Sequence, residues 1–196
     1  MNGVDEAIER RWTDTLASIG NSFLNGGKSQ PFPKNESGFI DLRGLTICQF
    51  IKNAKLYQLD LSSSRTAGFG QFGFCTVTET NFTKAILGTN LGNEFIKCCF
   101  NRSNLAGAVL RGRFDDCDFT AARLTSVMAN GVVFTRCKFV GSGFRKATLL
   151  HCTFEDCEFD RCSFGNGSVA GSRFIRSPIA IENLAKTVTE NVCFSA

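Results

Sequence analysis

Three kinds of side chain in this sequence could do chemistry: thiols, carboxylates and a single imidazole. There are ten cysteines, and Cys117, Cys137 and Cys157 recur at intervals of twenty residues. Thiols brought together by such a spacing could oxidise or hold a soft metal. Zinc-type pairing, two C-x₂-C units in series, does not occur. Carboxylates cluster at Asp115–Asp118 and again at Glu155–Asp160, and paired carboxylates serve acid–base catalysis or cation binding. His151 is the only histidine, which leaves almost no material for histidine catalysis or ligation. There is no nucleophile–base pair and no G-x-x-x-x-G-K-[S/T] phosphate loop. Accordingly no catalytic, cofactor-binding or metal-binding residue is assigned, and the chain is not expected to be an enzyme.

What positions these side chains is a repeat. Every fifth residue from Phe114 to Phe174 is apolar, thirteen in succession, with phenylalanine at nine of them. At a hydrophobic content of 43% this has a chance of roughly 10⁻⁵ in one phase. Two residues before each of these centres stands a small one, for example Cys117, Ala122, Cys137, Ser142, Cys152 and Cys162. A spacing of two puts both on the same side of an extended segment. A period of five is neither helical nor a plain strand, so the chain must turn a corner in each repeat. The pattern extends upstream with slips in phase: Cys98/Phe100, Ser103/Leu105 and Ala108/Leu110, then Gly70/Phe72, Cys75/Val77, Thr80/Phe82 and Ala85/Leu87, and more weakly Cys48/Phe50 and Ala54/Leu56. Slips fall near 110–114, 87–95, 61–72 and 50–56, and each implies a bulge or short excursion. The 20 Phe against one Tyr (Tyr57) and one Trp (Trp12) suit a uniformly dry interior. Eight cysteines (Cys48, Cys75, Cys98, Cys117, Cys137, Cys152, Cys157, Cys162) fall in the small inward slot, where a thiol acts as a soft hydrophobe. Cys99 and Cys193 do not, and a reducing, cytoplasmic compartment suits this usage.

Segments such as Ser103-Asn104-Leu105, Cys117-Asp118-Phe119 and Thr80-Asn81-Phe82 resemble the pentapeptide-repeat family, whose consensus is A-(D/N)-L-x-x. The resemblance covers roughly residues 39–175. It implies an all-β solenoid, a right-handed quadrilateral parallel β-helix with four repeats per coil and about seven coils. Around it the sequence divides into an N-terminal amphipathic capping helix (1–24), a linker (25–38), the β-helix (39–175) and a C-terminal capping or dimerisation helix (176–196). Val4, Ile8, Trp12, Leu16, Ile19 and Phe23 form the stripe of the first helix. Ser177-Pro178, followed by Ile181, Leu184, Ala185, Val188 and Val192, predicts the second.

With four repeats per coil, residues twenty apart lie above one another, and the sequence becomes a surface map. Asp118, Lys138 and Glu158 form one outward column, and Asp116, Arg136 and Asp156 form another, as ion ladders rather than acid–base pairs. Arg123, Arg145 and Lys146 make a modest basic patch. Met128, Asn130, Thr148, Leu150, His151 and Ala170 make a face without formal charge, the candidate interface with a protein partner.

Charge and composition limit the function. The chain is 20% charged with a net charge of +4, so it is not a disordered polyelectrolyte. No apolar run approaches the length of a membrane span, and the acidic N-terminus lacks the basic and apolar regions of a secretory signal. The expected function is a non-catalytic protein–protein interaction or scaffold module, with a homodimer through the C-terminal helix as a possible assembly. Membrane and nucleic-acid partners are not expected. The resemblance also offers an alternative: some family members protect type II topoisomerases such as gyrase by imitating duplex DNA with a long anionic rod. Residues 39–175 carry sixteen Lys/Arg against eleven Asp/Glu, a net of +5, which opposes that alternative.

Overall fold

A computed structural model describes residues 7–8, 10–27 and 31–196. The recurring corner is the local feature from which the fold is built. From Asp116 to Arg176 every fifth residue has a left-handed backbone, thirteen in succession, and only Gly131, Gly141 and Gly171 among them are glycines. Each such corner redirects the chain, so the large residue two positions earlier and the small residue two before that both point inward. Four corners complete one turn of twenty residues and give the coil four sides.

Fifteen short strands run along the sides: β1 (Ile40–Asp41), β2 (Thr46–Ile47), β3 (Phe50–Lys52), β4 (Lys55–Tyr57), β5 (Leu59–Asp60), β6 (Arg65–Thr66), β7 (Gln71–Thr78), β8 (Asn90–Ile96), β9 (Val109–Asp115), β10 (Met128–Asn130), β11 (Val133–Thr135), β12 (Thr148–Leu150), β13 (Thr153–Glu155), β14 (Arg173–Ile175) and β15 (Cys193–Ser195). All their pairings are parallel, each strand against its equivalent in the next coil. The result is a parallel β-solenoid of about eight turns, one more than the seven expected. The centres Leu56, Val77, Phe95, Phe114, Phe134, Phe154, Phe174 and Phe194 mark the eight levels on one side.

All thirteen centres from Phe114 to Phe174 are buried. Their rings form columns along the shaft: Phe114, Phe134, Phe154 and Phe174 are stacked with centroids 5.3, 5.0 and 4.8 Å apart. Phe100, Phe119, Phe139 and Phe159 make a parallel column at 4.7, 5.1 and 5.1 Å. Between columns the rings meet edge to face, as Phe134 meets Phe139 at 5.4 Å and 77°. Stacking within a column and edge-to-face contact between columns are the two favoured aromatic geometries.

Four faces result. The first is centred on Leu110, Ala129, Leu149 and Val169, the second on the Phe114–Phe174 column, the third on Phe119, Phe139 and Phe159, and the fourth on Leu124, Phe144 and Phe164. From Met128 upward the register is twenty residues throughout. Below it the coils vary: Ile40 pairs with Leu59, Phe50 with Gln71 and Val77 with Phe95. These changes are the source of the slips in phase.

Three expectations are corrected. Residues 176–196 form no α-helix: the segment holds one 3₁₀ turn, Ile181–Leu184, and then completes a last coil ending in β15. The five-residue phase continues through Ile179, Leu184 and Phe194, and the exposed edge of β14 attracts the chain, with Cys193 N–H donating to Ser172 O at 3.0 Å. A helix would leave that edge unpaired. At the other end the expected single helix is interrupted: Ala7, Ile8 and Arg10 are helical, and after a break α1 covers Asp14–Leu24 with Thr13 as its N-cap, so Trp12 stands in the break; Val4 lies outside the described residues. Trp12 instead donates its indole N–H to Arg43 O at 2.8 Å and packs on Phe32. Asn21 of α1 extends the backbone ladder of the first coil, donating to Thr46 O and accepting from Cys48 N–H at 2.9 and 3.0 Å. Burial alone would raise the Asp41 carboxyl, but hydrogen bonds from Arg43 and Arg11 outweigh it and hold it well below the usual carboxylate range. Finally, Cys48 is exposed and Ile47 and Ile51 point inward, which turns Phe50 outward as well.

All ten cysteines are free thiols, and the other seven assigned to the inward slot are buried. Cys98, Cys117, Cys137 and Cys157 stand in one column. Cys117, Cys137 and Cys157 donate to the Phe95, Phe114 and Phe134 carbonyls at 3.4, 3.2 and 3.4 Å. Burial pushes the Cys152 and Cys162 thiols up to about 11 and raises that of Cys117; a neighbouring sulfur, that of Cys137, and then burial raise Cys157. Native protein titrated with a thiol reagent at pH 8 should therefore label Cys48 and Cys193 quickly and half-buried Cys99 slowly, with the remaining seven appearing only on denaturation.

Candidate interaction face

The residues expected to form the uncharged face do share one face. Met128 pairs with Thr148, and Asn130 with Leu150, across β10 and β12; Ser168 and Ala170 continue the two columns. Met128 and Asn130 are exposed, while Thr148, Leu150 and Ala170 are half-buried. His151 is an exposed corner residue with φ of 51° at the border of this face. Arg123, Arg145 and Lys146 are all exposed on the fourth face or on the edge it shares with the first.

The same two columns run down to the first coils. One contains Phe50, Gln71, Asn90, Val109 and Met128; the other contains Lys52, Gly73, Gly92, Arg111 and Asn130. Sequence reasoning missed this lower half, because the variable coil lengths broke the twenty-residue count. The signal was available in the long strands β8 and β9, whose corner is one residue short. Between Ala129 and Val133 stand three residues, but between Leu110 and Arg113 only two. The shortened corner is turned by left-handed Asn93 and Gly112, whereas left-handed Phe74 turns a full one, with three residues between Phe72 and Thr76.

Gly73 and Gly92 have no side chains over two consecutive levels, and a hollow of about 250 Å³ opens there. It is lined chiefly by Phe50, Phe74, Asn90, Asn93 and Arg111 besides the two glycines. A Cβ on Gly73 would meet the Phe50 ring at 2.5 Å, so that ring lies directly over the glycine. Phe74 is 68% exposed and Phe50 40%, whereas every phenylalanine from Phe82 to Phe174 is buried. Phe69, in the turn entering this face, is 83% exposed. A second depression, along Val109, Arg111, Met128, Asn130, Thr148 and Leu150, extends the hollow upward.

Charge is sorted around the rod. All eleven carboxylates between residues 39 and 175 stand on the second and third faces or the edge between them. Several of them are paired there: Arg136 with Asp116 at 2.6 Å, Arg176 with Asp156 and Glu155 at 2.7 Å each, and Arg113 with Glu94 and Asp115. The predicted columns Asp118–Lys138–Glu158 and Asp116–Arg136–Asp156 are thus adjacent in space. Over the same span the first and fourth faces and their shared edge carry Lys52, Arg65, Arg111, Arg123, Arg145 and Lys146 and no acid.

Among the described residues no three His, Cys, Asp or Glu side chains are placed to hold a metal, and no helix is long and apolar enough to cross a membrane.

The profile of the family described as pentapeptide repeats matches residues 117–156 with eight copies. No curated protein matches. Among solved structures, QnrB1, a plasmid-mediated fluoroquinolone resistance protein, is similar in a trypsin-treated M102R form: 15% identity over 79% of this chain and 88% of that one, with a TM-score of 0.56. A pentapeptide repeat protein of the Arabidopsis thaliana thylakoid lumen matches over 74% of this chain and 68% of its own, at 18% identity and a TM-score of 0.29. By this profile residues 117–156 are pentapeptide repeats, and they lie on coils whose register is a constant twenty residues, within a square shaft filled by every fifth side chain.

Proposed function

We propose that the protein is a non-catalytic interaction module that presents the first face of its rod to a protein partner. The observation that carries this reading is that face itself: from Phe50 to Ala170 its two outward columns hold two cations and no acid, with Phe50 and Met128 exposed along it. A rigid surface of low charge with exposed large side chains is suited to burial against another protein. The paired charges of the second and third faces serve to hold coils in register, each exposed pair contributing about 0.5 kcal/mol. Ten free thiols suit a reducing compartment such as the cytoplasm.

Leu150→Glu places a charge on the upper part of the face without entering the shaft. Tagged protein carrying this change should capture its partner about tenfold less well than the unaltered protein, while its melting temperature stays within a few degrees. Undiminished capture would remove the reading. The fold shared with QnrB1 keeps a second reading in view, protection of gyrase. The net of sixteen basic against eleven acidic residues over 39–175 argues against DNA imitation. A supercoiling assay with gyrase and a quinolone separates the two, and no protection at equimolar protein is the expected result.

A further inference from the structure

The hollow on the first face suggests what kind of partner it meets. We propose that it receives one aromatic side chain of a partner-protein segment that carries acidic residues beside that side chain. The inference rests on the interaction-face reading and deepens it.

The argument begins with size. An engineered cavity of about 150 Å³ accepts benzene, so a hollow of about 250 Å³ has room for a phenyl or indole ring. Its walls come next. Phe50, lying over Gly73, and Phe74 offer two exposed rings, and Gly92 lets a planar group approach the backbone closely. Such aromatic-walled pockets are where interface anchors seat.

Charge then selects the neighbours of that anchor. Lys52 and Arg111 stand in the glycine column, below and above the two glycines, both are exposed, and neither forms an ion pair among the described residues. The nearest carboxylate in the strand, Glu94, faces the second side, where it is engaged by Arg113 at 3.4 Å. With no acid on the first or fourth face between residues 39 and 175, a carboxylate brought to the rim meets uncompensated positive potential, and a second cation would meet repulsion.

Charge supply favours protein over nucleic acid. Two cations on one column are too few to follow a phosphate strand.

The test is a selection of short random peptides displayed against the folded protein. Enriched sequences should place Trp, Phe or Tyr next to Asp or Glu. Gly92→Leu puts a side chain into the hollow, where a Cβ would meet Phe72 O at 3.3 Å and rest in ordinary contact with Gly73 Cα and Arg111 Cβ at 3.8 and 3.9 Å. That change, and separately Arg111→Glu, should each weaken the enriched peptides by about tenfold or more. Phe74→Gly removes one wall at an exposed left-handed position and serves if Gly92→Leu does not fold. The proposal is overturned by no enrichment, by enriched sequences lacking the aromatic–acidic pair, by unchanged affinity in Gly92→Leu and Phe74→Gly, or by oligothymidylate competing the peptides off. Partner capture that is lost in Leu150→Glu but intact in Gly92→Leu would leave the interaction face standing and remove only this occupant.

Discussion

Phe134→Ala is expected to destabilise the protein by about 4 kcal/mol, read as a fall in the urea midpoint or melting temperature. The ring is 1% exposed, stacked between Phe114 and Phe154 at 5.3 and 5.0 Å and edge-on to Phe119 and Phe139 at 6.3 and 5.4 Å. The strands around it are fixed in parallel ladders on both sides, so the walls cannot close over the void. Phe194→Ala provides the contrast. That ring is 56% exposed and stacks on Phe174 alone, so its loss should cost about 1 kcal/mol or less. Equal effects at the two sites would mean that the columns of rings are not what holds the coils together.

A single methyl group should do comparable damage at Gly112. Its φ is +81°, and a Cβ there would overlap the Asn93 carbonyl group and Cα of the coil below. The obstruction is backbone held by the β8–β9 ladder, so no side chain can move aside. Gly112→Ala is expected to cost at least about 3 kcal/mol. At Gly131, the full corner one coil above, φ is +67° and nothing lies within 4 Å of the added carbon. Gly131→Ala should therefore cost about 1 kcal/mol, the strain of a left-handed alanine alone. Denaturant melts of the pair isolate the shortened corner, and similar losses would refute the collision.

The upper coils were almost fully legible in the sequence, because nothing there competes with the five-residue phase. Phe114 to Phe174 announce a buried column, and the twenty-residue step that the family resemblance supplies then places Arg136 over Asp116 and Leu150 over Asn130. Legibility failed where two patterns coincide or where the period itself changes. Ile181, Leu184, Ala185 and Val188 satisfy a helical stripe, yet Ile179, Leu184 and Phe194 also satisfy the repeat, and the free edge of β14 decides between them. Cys48/Phe50 imitates a small-and-large inward pair, but Ile47 and Ile51 are the residues that fill the shaft. The lower half of the interaction face was hidden for the second reason: the repeats from Leu87 to Leu91 and from Leu91 to Phe95 each lack a residue, so Gly73, Gly92 and Arg111 share a column although they are not twenty apart.

The constant register above Met128 makes this part of the molecule a graduated scale. Excising twenty consecutive residues from it would shorten the rod by one graduation, about 4.8 Å, and bring like against like at the join: ring on ring, thiol on thiol, cation over carboxylate. Excising nineteen would slide everything beyond the cut by one place and turn its phenyl rings toward water. Length in these upper coils is thus adjustable in whole steps, and a lineage that changed it by unequal crossing-over would keep products differing by multiples of sixty nucleotides, whereas the 18-, 19- and 21-residue coils below Met128 each depend on an altered corner of their own.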